Sequence, residues 1–305
     1  MKIGIVILNW QQPQITLAAV NSLLKINSSH FSYHLFLVDN HSADNSLSLF
    51  QKKFAHHQFI TLLSTGSNLG YVGGNNYGLQ CALKKDFDYL LVANNDLIFD
   101  VDFLGHLTTF AKNHPQAGII GPKIYFAPGF EYHHQQYSHN QIGKVIWSVG
   151  GHLDWNNVLG SNLGIDEVDR GQYDQADFNL DFISGCCLLI KKEVFRQIGL
   201  FDQKYFMYLE DVDFSQRALR CGFKLAFVPN AKIWHLNAAS SAVGSPLADY
   251  FLTRNRLLFG FRYARLRTKI ALIRDSFRIL THGSLWQKRG VIDFYFGRLG
   301  QGSWK

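Results

Sequence analysis

The chain has 305 residues, of which 47% are hydrophobic and 17% are charged, and this balance excludes a disordered chain. The length suffices for one large α/β domain with or without a helical appendage. The formal net charge of the whole chain is +7, and its basic residues concentrate in residues 254–278. Such a localised basic segment indicates anionic lipid or polyphosphate partners. No zinc finger, basic zipper or ribonucleoprotein-type motif accompanies that segment, so we predict no nucleic-acid partner.

The first hundred residues alternate between short apolar runs and helical patterns. Strands are predicted at residues 3–8, 34–38, 59–64 and 89–94, and helices at residues 14–25, 44–54 and 75–85. Because parallel strands need long crossover connections, this alternation predicts a mainly parallel, doubly wound, Rossmann-like sheet with helices on both faces.

The rest of the chain is patterned differently. Residues 125–179 are rich in His, Tyr, Gln, Asn and Gly, and we interpret them as loops and short strands that cover a site. Strands are then predicted at 182–190, 224–229 and 232–235, helices at 191–199 and 211–222, and a basic amphipathic helix near 256–280. We divide the chain into a catalytic domain, 1–245, with halves 1–100 and 101–245, and a helical C-terminal region, 246–305.

Polar residues and glycine follow the predicted strands. In open α/β sheets, ligands bind beyond the carboxyl ends of the strands. The residues at those positions here are Asn9, Asp39, residues 68–76 and residues 94–96. The sequence therefore predicts a ligand site at this edge of the sheet.

The segment Asn94-Asn95-Asp96 comes directly after an apolar strand. A carboxylate at a strand end, in a cleft, is a ligand for Mg²⁺ or Mn²⁺, and nucleotide phosphates complete the coordination shell. The alternative is a strand-terminating turn, since Asn and Asp favour turns.

Three acids at Glu210, Asp211 and Asp213 begin a predicted helix. Burial beside aromatic residues and a neighbouring carboxylate would raise the pKa of one of them towards that of a general base. The alternative is capping, because acids stabilise helix N-termini. His235 ends a strand, and we interpret it either as a metal ligand or as a packed histidine.

Residues 66–78 are rich in glycine and asparagine. Glycines let a backbone approach a ligand closely, and a following helix N-terminus attracts anions. This segment is predicted to be a loop, but it matches neither a Walker loop nor the dinucleotide fingerprint. A long turn without a ligand is the alternative.

Six motifs in this order resemble the inverting glycosyltransferase family 2 of the GT-A fold, particularly its rhamnosyltransferase-like branch. They are IVILNW at 5–10, VDNHSADNS at 38–46, NLGYVGGNNYG at 68–78, LLVANND at 90–96, the block from FISGCC to ALRCG at 182–222, and YFLTRNRLLF at 250–259. Each motif is weak by itself, but the order is specific. The resemblance implies the fold of a nucleotide-diphospho-sugar transferase with a C-terminal helical extension.

The resemblance also implies roles for residues of this chain. Asp211 is the expected general base, and Asp96 and His235 are expected to bind Mg²⁺ or Mn²⁺. This chain reads NND where the family has a DxD motif, so Asn94 offers only a neutral oxygen. The residues expected to contact substrate are Asn9, Asp39, Asn68, Gly70, Gly74, Asn75, Asn94, Asn95, Gly185 and Glu210.

The activity implied by the resemblance is transfer of a sugar with inversion. The expected donor is dTDP-rhamnose or a UDP-hexose, and the expected acceptor is a saccharide, lipid-linked, in cell-surface polysaccharide biosynthesis. Two alternatives are a non-catalytic carbohydrate- or membrane-binding protein of the same fold and another nucleotide-sugar enzyme. A nucleotidyltransferase would need a basic phosphate-binding loop near the N-terminus, and residues 9–14 contain no Lys or Arg.

The N-terminus has the pattern of a first strand and not of a signal peptide, and the sequence has no run of 18 apolar residues. We therefore expect a cytoplasmic protein. The basic segment 256–280 has two interpretations. It either lies on anionic lipid at the inner face of the plasma membrane, or it packs on the catalytic domain with a solvated basic face.

Overall fold

A computed structural model describes residues 1–176, 179–236 and 244–304. The strands are β1 (Lys2–Asn9), β2 (Ser32–Asp39), β3 (Ile60–Ser64), β4 (Tyr89–Ala93), β5 (Leu97–Phe99), β6 (Ala117–Phe126), β7 (Ile146–Ser148), β8 (Gly151–Asp154), β9 (Leu159–Asn162), β10 (Cys187–Lys191) and β11 (Lys224–His235). The helices are α1 (Pro13–Leu23), α2 (Ser46–Phe54), α3 (Gly70–Leu83), α4 (Phe103–Asn113), α5 (Lys192–Ile198), α6 (Glu210–Arg220), α7 (Pro246–Tyr263), α8 (Leu266–His282) and α9 (Leu285–Tyr295).

One mixed sheet has the strand order β3-β2-β1-β4-β10-β6-β11-β5, and β7 pairs with β6. Strands β1 to β4 are parallel where they pair, as the sequence predicts, and β6 and β11 are also parallel. The second half of the chain adds antiparallel strands, since β10 runs against both β4 and β6, and β5 runs against β11. The two halves of the chain therefore share one sheet.

Helices cover both faces of the sheet, as predicted. Because successive side chains of a strand point to opposite faces, Ile5 of β1 lies in one core cluster and Val6 in the other. The first cluster includes side chains of α1, α2 and α4, and the second includes side chains of α3, α5 and α6. Because the sheet is buried on both faces, the positions of its strand ends, which carry polar residues such as Asn9 and Asp39, are fixed.

The predicted loop at 66–78 is wrong over most of its length, because α3 begins at Gly70. A Cβ atom at Gly74 would lie 2.5 Å from Cδ1 of Leu8, and one at Gly78 would lie 2.6 Å from Cγ1 of Val6. These glycines therefore let α3 pack closely on β1. Gly74, expected to line the donor site, faces the sheet.

Three other predicted elements differ from the structure. Only the second half of the predicted strand at 182–190 is a strand, and the two strands predicted at 224–235 form the continuous strand β11 with an irregularity after Val228. The predicted helix at 256–280 is two helices, because Ala264 and Arg265 adopt extended conformations between α7 and α8. No Gly or Pro marks that break in the sequence.

Helix α7, the first helix of the C-terminal region, packs on the rest of the molecule. Arg254 is fully buried, and Arg262 forms ion pairs with Asp202 at 2.7 Å and with Asp213 at 2.6 Å. This packing corresponds to one of the two interpretations of the basic segment, and α8 also packs with one face, through Thr268, Leu272 and Ser276. Within the described ranges, no helix is both long enough and apolar enough to span a bilayer. The division of the chain at residue 245 stays a prediction.

Candidate active site

The Asp39 carboxylate lies at the carboxyl end of β2, directly beside Asn9 of β1. Asn9 donates a hydrogen bond of 2.9 Å from Nδ2 to Oδ1 of Asp39. The backbone N–H of Ser42 donates to Oδ2 at 3.0 Å, and its hydroxyl donates to Oδ1 at 2.6 Å. Three donors thus fix a buried carboxylate at this edge.

A chain of hydrogen bonds links Asp39 to the segment after β4. Thr16 of α1 donates from its hydroxyl to Oδ1 of Asn9 at 2.7 Å. Asn95 donates from Nδ2 to the same hydroxyl oxygen at 2.8 Å. Three residues predicted to contact substrate, Asn9, Asp39 and Asn95, therefore lie in one hydrogen-bond network at the carboxyl ends of three parallel strands.

Asp96 and His235 also come together, although 139 positions separate them in the sequence. Oδ2 of Asp96 lies 3.2 Å from Nε2 of His235, and both residues are buried. Nδ1 of His235 is buried without a hydrogen-bond partner, and the ring packs edge-on against Trp147. Oδ1 of Asn94 is likewise buried without a partner.

The pair fits one divalent cation. Two ligands about 2.1 Å from one ion, at a right angle to each other, lie about 3 Å apart, which is close to the separation of these two atoms. Among the residues that the structure describes, no group of three or more His, Cys, Asp or Glu side chains is placed to hold a metal. A cation held by Asp96 and His235 would therefore need further ligands from substrate and water.

Asp211 lies in the first turn of α6, beside Gly185 in the segment that leads into β10. The Gly185 N–H donates a hydrogen bond of 2.6 Å to Oδ2 of Asp211. Burial raises the pKa of the Asp211 carboxyl, and the backbone donors Gly185 and Val212 oppose that rise. Such a carboxylate retains affinity for a proton, as a general base requires.

Glu210, next to Asp211, is buried, and its Oε2 atom has no hydrogen-bond partner. Burial, and next the charge of Asp211, raise the pKa of the Glu210 carboxyl well above its usual value. Tyr71 of α3 donates from its hydroxyl to the Gly185 carbonyl oxygen at 2.7 Å. Burial, and then the charges of Glu210 and Asp211, raise the pKa of Tyr71.

Cys186 follows Gly185, the residue that binds Asp211, and its backbone contacts the end of β4. Its thiol is buried, which raises its pKa, and the charges of Asp96 and Asp211 raise it further. The Asn94 N–H donates to the Cys186 carbonyl oxygen at 2.9 Å, which ties the end of β4 to the segment that positions Asp211. The structure thus brings Asp96 and Asp211 to one region, and Asn95 connects that region to Asp39.

The remaining predicted residues lie in the turn before α3 and in its first turns. Oδ1 of Asn68 accepts hydrogen bonds from Nδ2 of Asn40 at 3.0 Å and from the Gly70 N–H at 2.9 Å. Asn75 donates from Nδ2 to the Tyr71 carbonyl oxygen, and its Oδ1 is buried without a partner. Two surface cavities of about 410 and 580 Å³ lie elsewhere, beside α8, and contain none of the predicted site residues.

Comparison with known proteins accounts for this arrangement. The sequence model of the glycosyltransferase-like family 2 matches residues 2–258. The chain belongs to this family.

Relatives of this glycosyltransferase include an N-acetylglucosaminyl-diphospho-decaprenol L-rhamnosyltransferase of Mycobacterium tuberculosis, 29% identical over 217 residues, which are 68% of this chain and 67% of the relative. The low-salt glycan biosynthesis hexosyltransferase Agl10 of Haloferax volcanii is 29% identical over 178 residues, 58% of this chain and 52% of that protein. A crystal structure of GalNAc-T7 with UDP, GalNAc and Mn²⁺ superposes with a TM-score of 0.63 at 17% identity, covering 92% of this chain and 57% of the other. This likeness shows the GT-A fold.

A strained segment of this glycosyltransferase precedes Asp211 and was missed by sequence reasoning. Phe206, Tyr208 and Leu209 all have φ values between 64° and 66°. The left-handed conformation costs a residue with a side chain about 1–2 kcal/mol, so neighbouring groups must hold it. Sequence reasoning did not find it because apolar and aromatic residues occupy positions that favour Gly or Asn.

Two buried side chains of α7 hold that segment. Nδ2 of Asn255 lies 3.0 Å from the Tyr205 carbonyl oxygen, 2.7 Å from that of Met207 and 2.9 Å from that of Tyr208. Arg254 donates from Nη2 to the Tyr205 carbonyl oxygen at 2.9 Å. Both lie within the motif at 250–259, which was quoted for the resemblance but given no role.

Proposed function

We propose that this family 2 glycosyltransferase moves a hexosyl group, rhamnose or a related sugar, from a nucleoside-diphosphate sugar to a hydroxyl of a lipid-linked saccharide, with inversion. One observation carries the proposal. The Asp211 carboxylate, whose pKa is raised, accepts a hydrogen bond from the Gly185 N–H, and the next carbonyl oxygen, that of Cys186, accepts one from the Asn94 N–H at the start of the Asp96 segment. Further hydrogen bonds join this segment to Asp39. The arrangement provides a base, a cation ligand and a nucleotide contact around one edge of the sheet.

The base acts on the acceptor. Asp211 accepts the proton of the acceptor hydroxyl, and that oxygen forms a bond to the anomeric carbon. The bond from this carbon to the diphosphate breaks on the opposite side, so the configuration inverts and the nucleoside diphosphate leaves with the electron pair. The Gly185 N–H keeps the carboxylate oriented for this proton transfer.

Asp39 binds the nucleotide in this proposal. Its carboxylate is fixed by Asn9 and Ser42, so it can accept hydrogen bonds from ribose or base without reorganising. Hydrogen bonds through Asn9 and Asn95 fix the position of this carboxylate relative to the Asp96 segment. The donor nucleotides we expect are dTDP and UDP.

Asp96 and His235 would hold the divalent cation, Mg²⁺ or Mn²⁺, that we expect as cofactor. When bound, such a cation neutralises the charge that develops on the leaving diphosphate. Asn94 adds a neutral oxygen, buried without a hydrogen-bond partner, two positions before Asp96. The imidazole nitrogen in this ligand set favours Mn²⁺ over Mg²⁺, which prefers oxygen ligands alone.

The choice of sugar and acceptor draws support from relatives. The mycobacterial relative is a rhamnosyltransferase named for a decaprenol-linked acceptor, and the archaeal relative is a hexosyltransferase of glycan biosynthesis. We therefore infer a role in cell-surface glycan assembly. The cytoplasmic location stays a prediction.

A donor panel tests the proposal. UDP-, GDP- and dTDP-sugars are added with Mn²⁺ or Mg²⁺, and the midpoint of thermal unfolding is measured, because a bound donor stabilises the fold by mass action. We expect stabilisation by a dTDP- or UDP-sugar and release of nucleoside diphosphate when a saccharide acceptor is added. Stabilisation without release would favour the non-catalytic alternative, and no stabilisation by any donor would contradict the proposal.

A further inference from the structure

Helix α8 exposes an apolar face to solvent. Thr268, Leu272 and Ser276 of this helix are buried against the rest of the molecule. The apolar residues on its outer side are between 38% and 74% exposed; they are Leu266, Ile270, Ile273, Phe277 and Leu280. An ordinary surface helix carries polar side chains at such positions.

The five apolar residues form one stripe. At about 100° per residue they fall within an arc of about 80°, whose centre lies about 120° around the helix from that of the buried residues. We define this set as the α8 stripe. A helix that packs on a domain with one face and exposes a continuous apolar stripe elsewhere is expected to bind a second surface through that stripe.

Basic residues border the α8 stripe on both sides. Arg267 and Arg274 lie along one edge and Lys269 along the other, at the spacing that places them within about 60° of the nearest apolar residue. The one acid in the helix is Asp275, which is 2.6 Å from Arg256 and 2.7 Å from Arg278. The charge that faces outward beside the α8 stripe is therefore positive.

This charge pattern decides between two occupants. The 4-3-4-3 spacing of the α8 stripe is also that of a coiled-coil seam, which a second copy of the chain could cover. In such a pair, however, Arg267, Lys269 and Arg274 would occupy flanking positions and face one another, and like charges there are destabilising. An anionic lipid surface accepts both the apolar stripe and its basic borders.

We propose that helix α8 docks this protein on an anionic lipid bilayer, with the α8 stripe in the interfacial layer and its basic borders at the lipid head groups. The helix lies parallel to the surface, and α7 and α9 connect it to the catalytic domain. This contact goes beyond sugar transfer and does not depend on which sugar or acceptor is used.

Sedimentation with vesicles tests the proposal. The full chain is mixed with vesicles of phosphatidylcholine alone, or of phosphatidylcholine with phosphatidylglycerol, at low and at physiological salt. We expect binding to the anionic vesicles that weakens as salt rises. Phe277→Ser with Leu266→Ser should reduce the partition coefficient by about tenfold or more. Replacing Arg267, Lys269 and Arg274 by Gln should reduce it by about a hundredfold.

Phe59→Ser is the matched control, because Phe59 is 53% exposed but lies outside α8, just before β3. It should leave vesicle binding unchanged. Circular dichroism and the thermal midpoint establish that each variant is folded, and donor hydrolysis in detergent-free buffer should stay at the wild-type rate. Equal binding by wild type and both α8 variants would overturn the proposal. So would a concentration-dependent dimer, measured by light scattering, that the Phe277→Ser/Leu266→Ser variant abolishes.

Discussion

Nδ2 of Asn255 lies 2.7 Å from the carbonyl oxygen of Met207, which joins the C-terminal helix α7 to the segment that precedes Asp211. Asn255→Ala removes a donor from three carbonyl oxygens and releases left-handed residues. The Tyr205 carbonyl oxygen keeps Arg254 as its donor, but those of Met207 and Tyr208 lose the Asn255 amide. We therefore expect the free energy of unfolding to fall by about 1–3 kcal/mol. We also expect kcat/KM to fall by more than tenfold, because Asp211 loses its position.

Chemical denaturation and steady-state kinetics measure the two effects of Asn255→Ala. Leu252→Ala is the control, since Leu252 lies on the same helix but is exposed. This control should leave both quantities near those of the wild type. A variant Asn255→Ala with wild-type kcat/KM would show that the hydrogen bonds of Asn255 do not position Asp211.

The pH dependence of the rate reports on Asp211. The base must be ionised to accept a proton, and burial raises the pKa of this carboxyl. The acid limb of kcat/KM should therefore have its midpoint above about 3.9, the value of an ordinary Asp, and the rate should fall as the pH drops through that midpoint. Initial rates at constant ionic strength check this. A rate that stays constant down to pH 4 would contradict it.

Glu210 has a separate effect, on stability. Its folded pKa is raised, so its contribution to stability is present below the unfolded value of about 4.3 and is lost as the pH rises towards the folded value. Glu210→Gln removes this loss. The unfolding free energy of the variant should therefore decline less than that of the wild type between pH 4 and pH 8. Urea denaturation at several pH values measures the difference. If the unfolding free energies of wild type and variant change with pH in parallel, the pKa of Glu210 is not raised in the folded protein.

Metal binding should require both Asp96 and His235. Asp96→Ala or His235→Ala removes one of two protein ligands, and loss of a ligand of this kind should weaken Mn²⁺ affinity by about tenfold or more. Calorimetry with Mn²⁺ and nucleoside diphosphate measures the affinity. His106→Ala, at an exposed histidine of α4, is the control. Unchanged affinity in Asp96→Ala would exclude this residue from the cation site.

The sequence predicted the parallel half of the sheet correctly, because apolar runs and crossover lengths restrict the topology of β1 to β4. The same reasoning placed Asn9 and Asp39 at one edge, and the structure has them in hydrogen-bond contact. The antiparallel strand β10 was not predicted as such, since strand direction depends on connections that leave no local pattern.

Other features depend on tertiary contacts that no local pattern encodes. The glycines of residues 70–78 were interpreted as a ligand loop, but their spacing of four serves the packing of α3 on Leu8 and Val6. The contact between Asn255 and the carbonyl oxygens near Met207 spans about fifty residues, and left-handed conformations at Phe206 and Tyr208 contradict the local preferences of these residues. Such strain is visible only in coordinates.

Release of nucleoside diphosphate by wild type and Asp211→Asn tests the central claim most directly. Asparagine keeps the size of the side chain and can still accept the hydrogen bond of the Gly185 N–H, so the fold and donor affinity should be preserved. With a saturating donor, a saccharide acceptor and Mn²⁺, the account predicts that kcat falls by about 10²–10⁴-fold, the usual contribution of a general base. An Asp211→Asn variant that transfers sugar at the wild-type rate would contradict it.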